Sequence, residues 1–381
     1  MFPRIFGLTW LAYCGYYLCR KNFSVLMPFL KTEQGYTSEA LAHVLFIYSA
    51  AYAIGQFAMG QLADRFGARV VVTFGAIGSA IASALTGSSI SLAASQGANG
   101  FMQASGWPGV MKMSREWFPR TNRGVIMAWW GTHLVVGGFV ATNLAAFATQ
   151  GDWRRAAWVP SIFLAGIAIV FGLFSKNQER KTVGLVPEPR GPLPLNPALI
   201  AIAVMYFFVK LSRYSFLFWL PLYMTERLLY SPVMAGYTSS IFEGVGFAGA
   251  LAAGYVSEHA TRGKRFPVGA VMMGGLAVIC AAYPWLSRLG PAANLSAIAL
   301  LGAFTFGPDT LMAGSGTQEA VAPEATARAA GFVNGVGSVG QVLSPYFVAL
   351  VSAQYGWDAM FYSLGATSVL GAIALATQWR R

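Results

Sequence analysis

The sequence predicts an all-α polytopic membrane protein, with twelve transmembrane helices in two pseudo-symmetric halves of six. Three observations carry that prediction. Of its 381 residues, 56% are hydrophobic and 10% charged, where a soluble domain carries roughly a quarter charged residues. Apolar stretches of about 20 residues, the length that crosses a bilayer, recur along the chain. One polar pattern also occurs twice inside such stretches: Tyr13-x3-Tyr17-x2-Arg20 with Pro28 following, and Tyr206-x3-Lys210-x2-Arg213 with Pro221 following at the same distance.

The first predicted span, 5–30, holds the first copy of the pattern. Spacing of i, i+4, i+7 puts its three side chains on one helical face. The span is long, lacks a small-residue cleavage pattern and carries Arg20-Lys21, so it is not a removable signal. The second span, 40–63, runs into Gly60-Gln-Leu-Ala-Asp64-Arg65-Phe-Gly67-Ala-Arg69. Spans at 70–87, 90–114, 124–149 and 155–175 complete the first half. Residues 176–196 are polar, basic and proline-rich, and read as a cytoplasmic linker. In the second half, span 197–225 holds the second copy, and span 233–257 ends in Gly254-Tyr-Val-Ser-Glu258-His-Ala-Thr-Arg262-Gly-Lys264-Arg265, a degenerate partner of the Gly60 pattern. Spans at 267–287, 292–317, 327–353 and 357–379 follow, the eleventh rich in glycine (Gly335, Gly337, Gly340). The predicted domains are therefore an N-terminal bundle, 1–175, the linker, and a C-terminal bundle, 197–381. Parallel six-helix halves are an arrangement that permits rocking about a midplane site.

Lys and Arg number 26 against 14 Asp and Glu, a net charge of +12. Their placement excludes a polyanion partner such as nucleic acid. With both termini in the cytoplasm, only Lys31, Arg154, Arg155, Arg227 and Arg288 fall on the opposite side; the remaining loop charges obey the positive-inside rule. The expected location is a membrane, and the Ala, Gly and Arg richness points to a bacterial inner membrane. Cys14, Cys19 and Cys280 sit in spans without disulfide or metal spacing and read as small packing residues. No nucleotide loop, metal cluster or nucleophile–base spacing is present in the sequence, so neither an enzyme nor a cofactor is expected.

Two motifs narrow the class. Gly60–Arg69 resembles the loop signature between the second and third helices of the major facilitator superfamily, whose acid and bases (here Asp64, Arg65 and Arg69) can pair across helices in one conformation and part in the other. Tyr16-Tyr17-Leu-Cys-Arg20-Lys21-Asn22-Phe23-Ser-Val-Leu-Met-Pro28 resembles the first helix of the organophosphate:phosphate antiporter family, with Gly106-Trp107-Pro108, Trp117-Phe118 and Val183-Gly184-Leu185 also similar to that family. The resemblance implies an exchanger of inorganic phosphate for a phosphorylated sugar such as glucose-6-phosphate, working as a monomer in the lipid bilayer. It implies phosphate-clamping roles for Arg20 and Arg213, and pocket roles for Tyr13, Tyr17, Tyr52, Gln103 and His133. It also implies that Glu243 pairs with Lys21. The chain departs from the family pattern at Gln56 (a lysine there), Lys210 (a tyrosine) and Phe218 (an aspartate in the glycerol-phosphate branch). Against the family pattern, the resemblance implies a pocket cation moved from helix two to helix seven.

Charge arithmetic agrees with that class. The spans hold four bases (Arg20, Lys21, Lys210, Arg213) and two acids (Glu243, Asp309). A mid-membrane arginine costs several kcal/mol and faces protein or a water-filled cavity. A phosphate monoester brings about −1.5 to −2 of charge near neutral pH, and the planar arginine fork grips two of its oxygens. Structural ion pairing is the alternative for the arginines, but the acids are too few for every base. Lys210 either meets the ligand or pairs with Asp309. His133 is open between ligand contact, a proton-sensitive gate and an interhelical hydrogen bond, and Gln56 and Gln103 between ligand contact and helix joining. The tyrosines either donate to the anion or pack. Closing two halves over unneutralised arginines is unfavourable, so balanced exchange is expected rather than uniport. Proton-coupled uptake of an organic anion or phosphonate, with Glu243 or Asp309 carrying the proton, is a second reading; a non-transporting hexose-phosphate sensor is a third.

Overall fold

A computed structural model describes residues 2–86, 88, 90–118, 123–177, 195–322 and 325–380. Most of the predicted linker, with Arg180, Lys181, Arg190 and Val183-Gly184-Leu185, lies outside the described residues, as do Arg120 and Arg381. Among the described residues there is helix and no strand. Seven helical stretches among the described residues are long and apolar enough to cross a membrane. Large apolar side chains also face outward, Phe57 (79% exposed) and Val278 (70%) among them, as lipid-facing positions do.

The first predicted span lies within α1 (Phe2–Thr32). Helix α2 (Ser38–Phe66) starts where the Thr37 side chain accepts from the Ala40 amide, and it ends at Gly67. Gly67 takes φ 86°, which disfavours any side chain, so the chain turns sharply into α3 (Ala68–Ala84). The fourth predicted span is broken into α4 (Leu92–Gln103) and α5 (Gly106–Trp117). Pro108 explains the break: it has no amide hydrogen and its ring crowds the carbonyl of Ala104. The fifth is broken into α6 (Arg123–Gly131) and α7 (His133–Ala148) at Thr132, whose hydroxyl donates to the Trp129 carbonyl (2.7 Å) while the local ladder tightens to i→i+3. Helix α8 (Arg155–Phe174) follows.

Helix α9 (Pro197–Arg227) opens with proline at its first position and with the Asn196 side chain accepting from the Leu199 amide (2.8 Å). Helices α10 (Pro232–His259), α11 (Arg265–Leu286) and α12 (Pro291–Leu311) follow. The tenth predicted span does not stay regular. A π-turn, Met312–Gly316, interrupts it before the short α13 (Thr317–Ala320). The last two predicted spans form one run, α14 (Thr326–Ala376), bent at Gly356, which takes φ 84°.

The chain divides into two compact units: Met1–Val183 with Met224–Ser240, and Gly184–Tyr223 with Ile241–Arg381. In the first, α1 packs on α7, α8 and α5, and α2 packs closely on α4. A side chain at Gly100 of α4 would strike the Tyr48 carbonyl of α2. In the second, α11 packs on α14 and α12, and a side chain at Gly302 of α12 would strike the Phe242 carbonyl of α10. Each unit thus repeats the same backbone-to-backbone approach at corresponding helices. Of the glycines expected to allow close packing in α14, Gly337 lies under the Tyr206 ring and Gly340 under the Phe207 carbonyl, whereas Gly335 faces open space.

Candidate functional site

In the first unit the site is built around Arg20. Buried polar groups need partners, and α4 supplies them. Arg20 Nε donates to Gln103 Oε1 (2.8 Å), and the Tyr48 hydroxyl donates to the same oxygen (3.0 Å). The Gln103 amide nitrogen donates in turn to the Tyr16 carbonyl (3.1 Å). One turn earlier, Asn99 donates to the Cys19 carbonyl (2.8 Å) and accepts from Ser79 (2.7 Å). Every member of this network holds another, so the arginine's position on α1 is fixed by side chains from α2, α3 and α4. The guanidinium lies over the rings of Tyr17 (4.9 Å) and Tyr52 (5.1 Å), contacts that favour a cation electrostatically. Among the described residues no carboxylate pairs with Arg20.

Beside this network sits an aromatic cluster. Tyr13, on the same face of α1, meets His133 (4.4 Å), Trp130 (5.5 Å), Trp107 (5.9 Å) and Tyr17 (6.3 Å). His133 is 3% exposed, and its Nδ1 lies 2.6 Å from the Trp130 carbonyl. The Trp130 indole donates to Thr9 (3.2 Å). His133 is therefore engaged within its own helix corner. Gln56 is half-buried and reaches only the Ala104 carbonyl, at 3.4 Å.

In the second unit Arg213 has a different environment. Its NH1 donates to Asp309 Oδ2 (2.6 Å), and its guanidinium covers the Phe306 ring (4.4 Å), both partners on α12. The sequence expectation that Arg213 stands unneutralised is corrected here. The alternative partner foreseen for Asp309, Lys210, donates instead to Asn334 Oδ1 of α14 (2.8 Å) and lies over Tyr206 (5.0 Å). Lys210, Arg213 and Asp309 are each less than a tenth exposed. Lys21 and Glu243 are both buried, in α1 and α10, one in each unit.

At the turn between α2 and α3, Asp64 pairs with Lys112 of α5 (2.9 Å), not with Arg65 or Arg69. Arg69 donates through Nε to the Gly172 carbonyl (2.6 Å), and its amide to Asn177 (2.9 Å). The degenerate copy forms its own cluster: Arg265 reaches Glu258 (2.5 Å) and Glu319 (3.2 Å). Sequence reasoning missed Tyr48, Asn99, Phe306, Asn334 and Lys112. For Asn99 and Gln103 a signal existed, two amides four residues apart flanking Gly100 on an apolar helix. The other partners lie on helices whose register no local pattern reveals.

The Major Facilitator Superfamily profile matches residues 9–333. The glycerol-3-phosphate transporter of Bacillus subtilis (strain 168) is 27% identical over 414 residues, covering 99% of this chain and 92% of the relative. The glucose-6-phosphate exchanger SLC37A1 of Mus musculus is 26% identical over 476 residues, covering 94% and 89%. The membrane sensor protein UhpC of Salmonella typhimurium is 27% identical over 395 residues, covering 96% and 89%. Among solved structures, a bacterial homolog of the human lysosomal transporter Spinster, in an inward-facing and unoccupied conformation, aligns with a TM-score of 0.77 at 14% identity, over 99% of this chain and 95% of that one. At that identity the likeness is one of fold.

Proposed function

The chain belongs to the major facilitator superfamily, and from that premise we propose that it exchanges inorganic phosphate for a phosphorylated small organic molecule, a sugar phosphate such as glucose-6-phosphate, by alternating access. It is an integral membrane protein of a transporter family rather than an enzyme. Its relatives named above include organophosphate transporters and exchangers.

One observation carries the proposal. Arg20 is held inside an apolar bundle by an amide and two aromatic faces, with no carboxylate on it among the described residues. Keeping such a charge desolvated is costly unless an anion uses it. The Nε bond to Gln103 and the rings of Tyr17 and Tyr52 orient the fork, leaving its terminal amino groups for phosphoryl oxygens. In this reading Arg213 and Lys210 supply the second repeat's share, and Tyr13 and His133 border the organic moiety. The carrier is a monomer in a bacterial inner membrane with both termini cytoplasmic.

The test uses purified protein in vesicles preloaded with phosphate. Labelled phosphate entry is followed, then chased with glucose-6-phosphate, glycerol-3-phosphate or phosphoglycerate. The proposal predicts entry that both Arg20→Ala and Arg213→Ala abolish, and the strongest chaser identifies the organic substrate. Binding of these anions without flux would favour the sensor reading that the similarity to UhpC supports. Phosphate flux that survives both substitutions would remove the clamp from the account.

A further inference from the structure

Asp309 is the feature of the second unit that the exchange reading leaves unused. It is 5% exposed on α12, and its Oδ2 accepts from Arg213 at 2.6 Å. Its other oxygen, Oδ1, is buried as well, and the Tyr206 hydroxyl of α9 interacts with the carboxylate. The adjacent cation does not complete the pair, since Lys210 donates to the amide of Asn334, an exposed residue. The segment that carries Asp309 is also irregular. Pro308 precedes it, and the π-turn Met312–Gly316 begins three residues later, a departure from the regular ladder often found where a helix serves function.

We infer that Asp309 is a resident counter-ion that holds Arg213 in the empty carrier and that an incoming phosphoryl group must displace, making it an affinity-setting residue. The inference rests on the phosphoryl reading of Arg213 and Lys210. Through Oδ2 the carboxylate accepts from the guanidinium as a phosphoryl oxygen would. Because Asp309 is tethered, it competes at a high effective concentration. Its presence lowers affinity for every anion by the free energy of the ion pair that has to break. In return the anion leaves easily, because Asp309 takes its place on Arg213 as it departs. An exchanger needs both steps: a site too tight to release is as slow as one too weak to fill.

The experiment measures inorganic phosphate binding to the full-length protein in detergent by calorimetry, and exchange in vesicles, for the wild type, Asp309→Asn and Asp309→Glu. Removing the competitor is expected to tighten phosphate binding by about tenfold or more, the size of ~1.4 kcal/mol. In exchange, KM and the maximal rate should fall together, because release slows. Phosphate should also raise the melting temperature of Asp309→Asn more than that of the wild type, since the bound anion stands in for the lost carboxylate. Asp309→Glu keeps the charge and is expected to stay within about threefold of the wild-type affinity. If Asp309→Asn does not survive phosphate-free purification, Asp309→Ser carries the same expectation. Unchanged or weaker binding in the neutral variants overturns the inference while leaving the exchange reading intact. So does failure of both neutral variants to fold even in phosphate, which marks a purely structural charge. A wild type that binds no phosphate removes the exchange reading and this inference with it.

Discussion

Arg20 and Arg213 occupy corresponding places in the two repeats, yet their surroundings differ in kind. Arg20 is held by a neutral amide, Gln103, and lies over Tyr17 and Tyr52; Arg213 is held by a carboxylate, Asp309, and lies over Phe306. The repeat of the primary structure fixes where each arginine stands on its helix. What neutralises it comes from another helix and has diverged. The consequence is an unequal division of labour. In the proposed exchanger the first unit would offer a charge without a carboxylate on it among the described residues, and the second one that Asp309 occupies until an anion competes for it.

The sharpest way to break the comparison is to remove each arginine in turn. Arg20→Gln is expected to reduce phosphate exchange by about 100-fold or more, since charge-assisted hydrogen bonds contribute about 1.5–3 kcal/mol each. It should leave folding nearly intact, because no buried carboxylate loses a partner. Arg213→Gln should instead destabilise the protein by about 3–5 kcal/mol, leaving Asp309 buried alone. The double variant Arg213→Gln/Asp309→Asn should recover most of that stability but not the transport, read by thermal unfolding beside vesicle exchange. If the two single variants are equally stable, the contrast between the sites is wrong.

Smaller effects sharpen it. Gln103→Leu strips Arg20 and Tyr48 of one shared acceptor; a cost of about 1–3 kcal/mol is expected, with KM for phosphate rising about tenfold. The corresponding change in the second unit, Asn334→Leu, should mainly affect Lys210 and cost less, since Asn334 is exposed. The smallest effect belongs to the turn between α2 and α3. Asp64 is largely exposed where it meets Lys112, so Asp64→Asn should change stability by less than about 1 kcal/mol, and less still at high salt.

Much of this was legible in the sequence because membrane spans obey strong constraints. Length, hydropathy and loop charge predicted an all-helical membrane protein, and the i, i+4, i+7 pattern placed Arg20 and Arg213 inside it. The breaks were not legible. Pro108 and Thr132 interrupt helices in stretches whose hydropathy never falters, and hydropathy does not register backbone geometry. At the site, residues sharing a helix with a recognised motif were readable, such as Tyr13 and Tyr17. Partners from other helices were not: Asp309 was visible as a buried acid, but its choice of Arg213 over Lys210 depends on the rotation of α12. The Tyr48 hydroxyl was hidden for the same reason, as one tyrosine among several in an apolar helix.

The account's central claim is that phosphoryl anions exchange through these arginines, and trans-stimulation tests it most directly. Vesicles holding the protein and labelled phosphate would be diluted into buffer with or without external phosphate, and efflux followed. The account predicts fast efflux only when external phosphate is present, and none of that stimulation in Arg20→Gln. Efflux equally fast into phosphate-free buffer, or stimulation that survives the loss of Arg20, would contradict it.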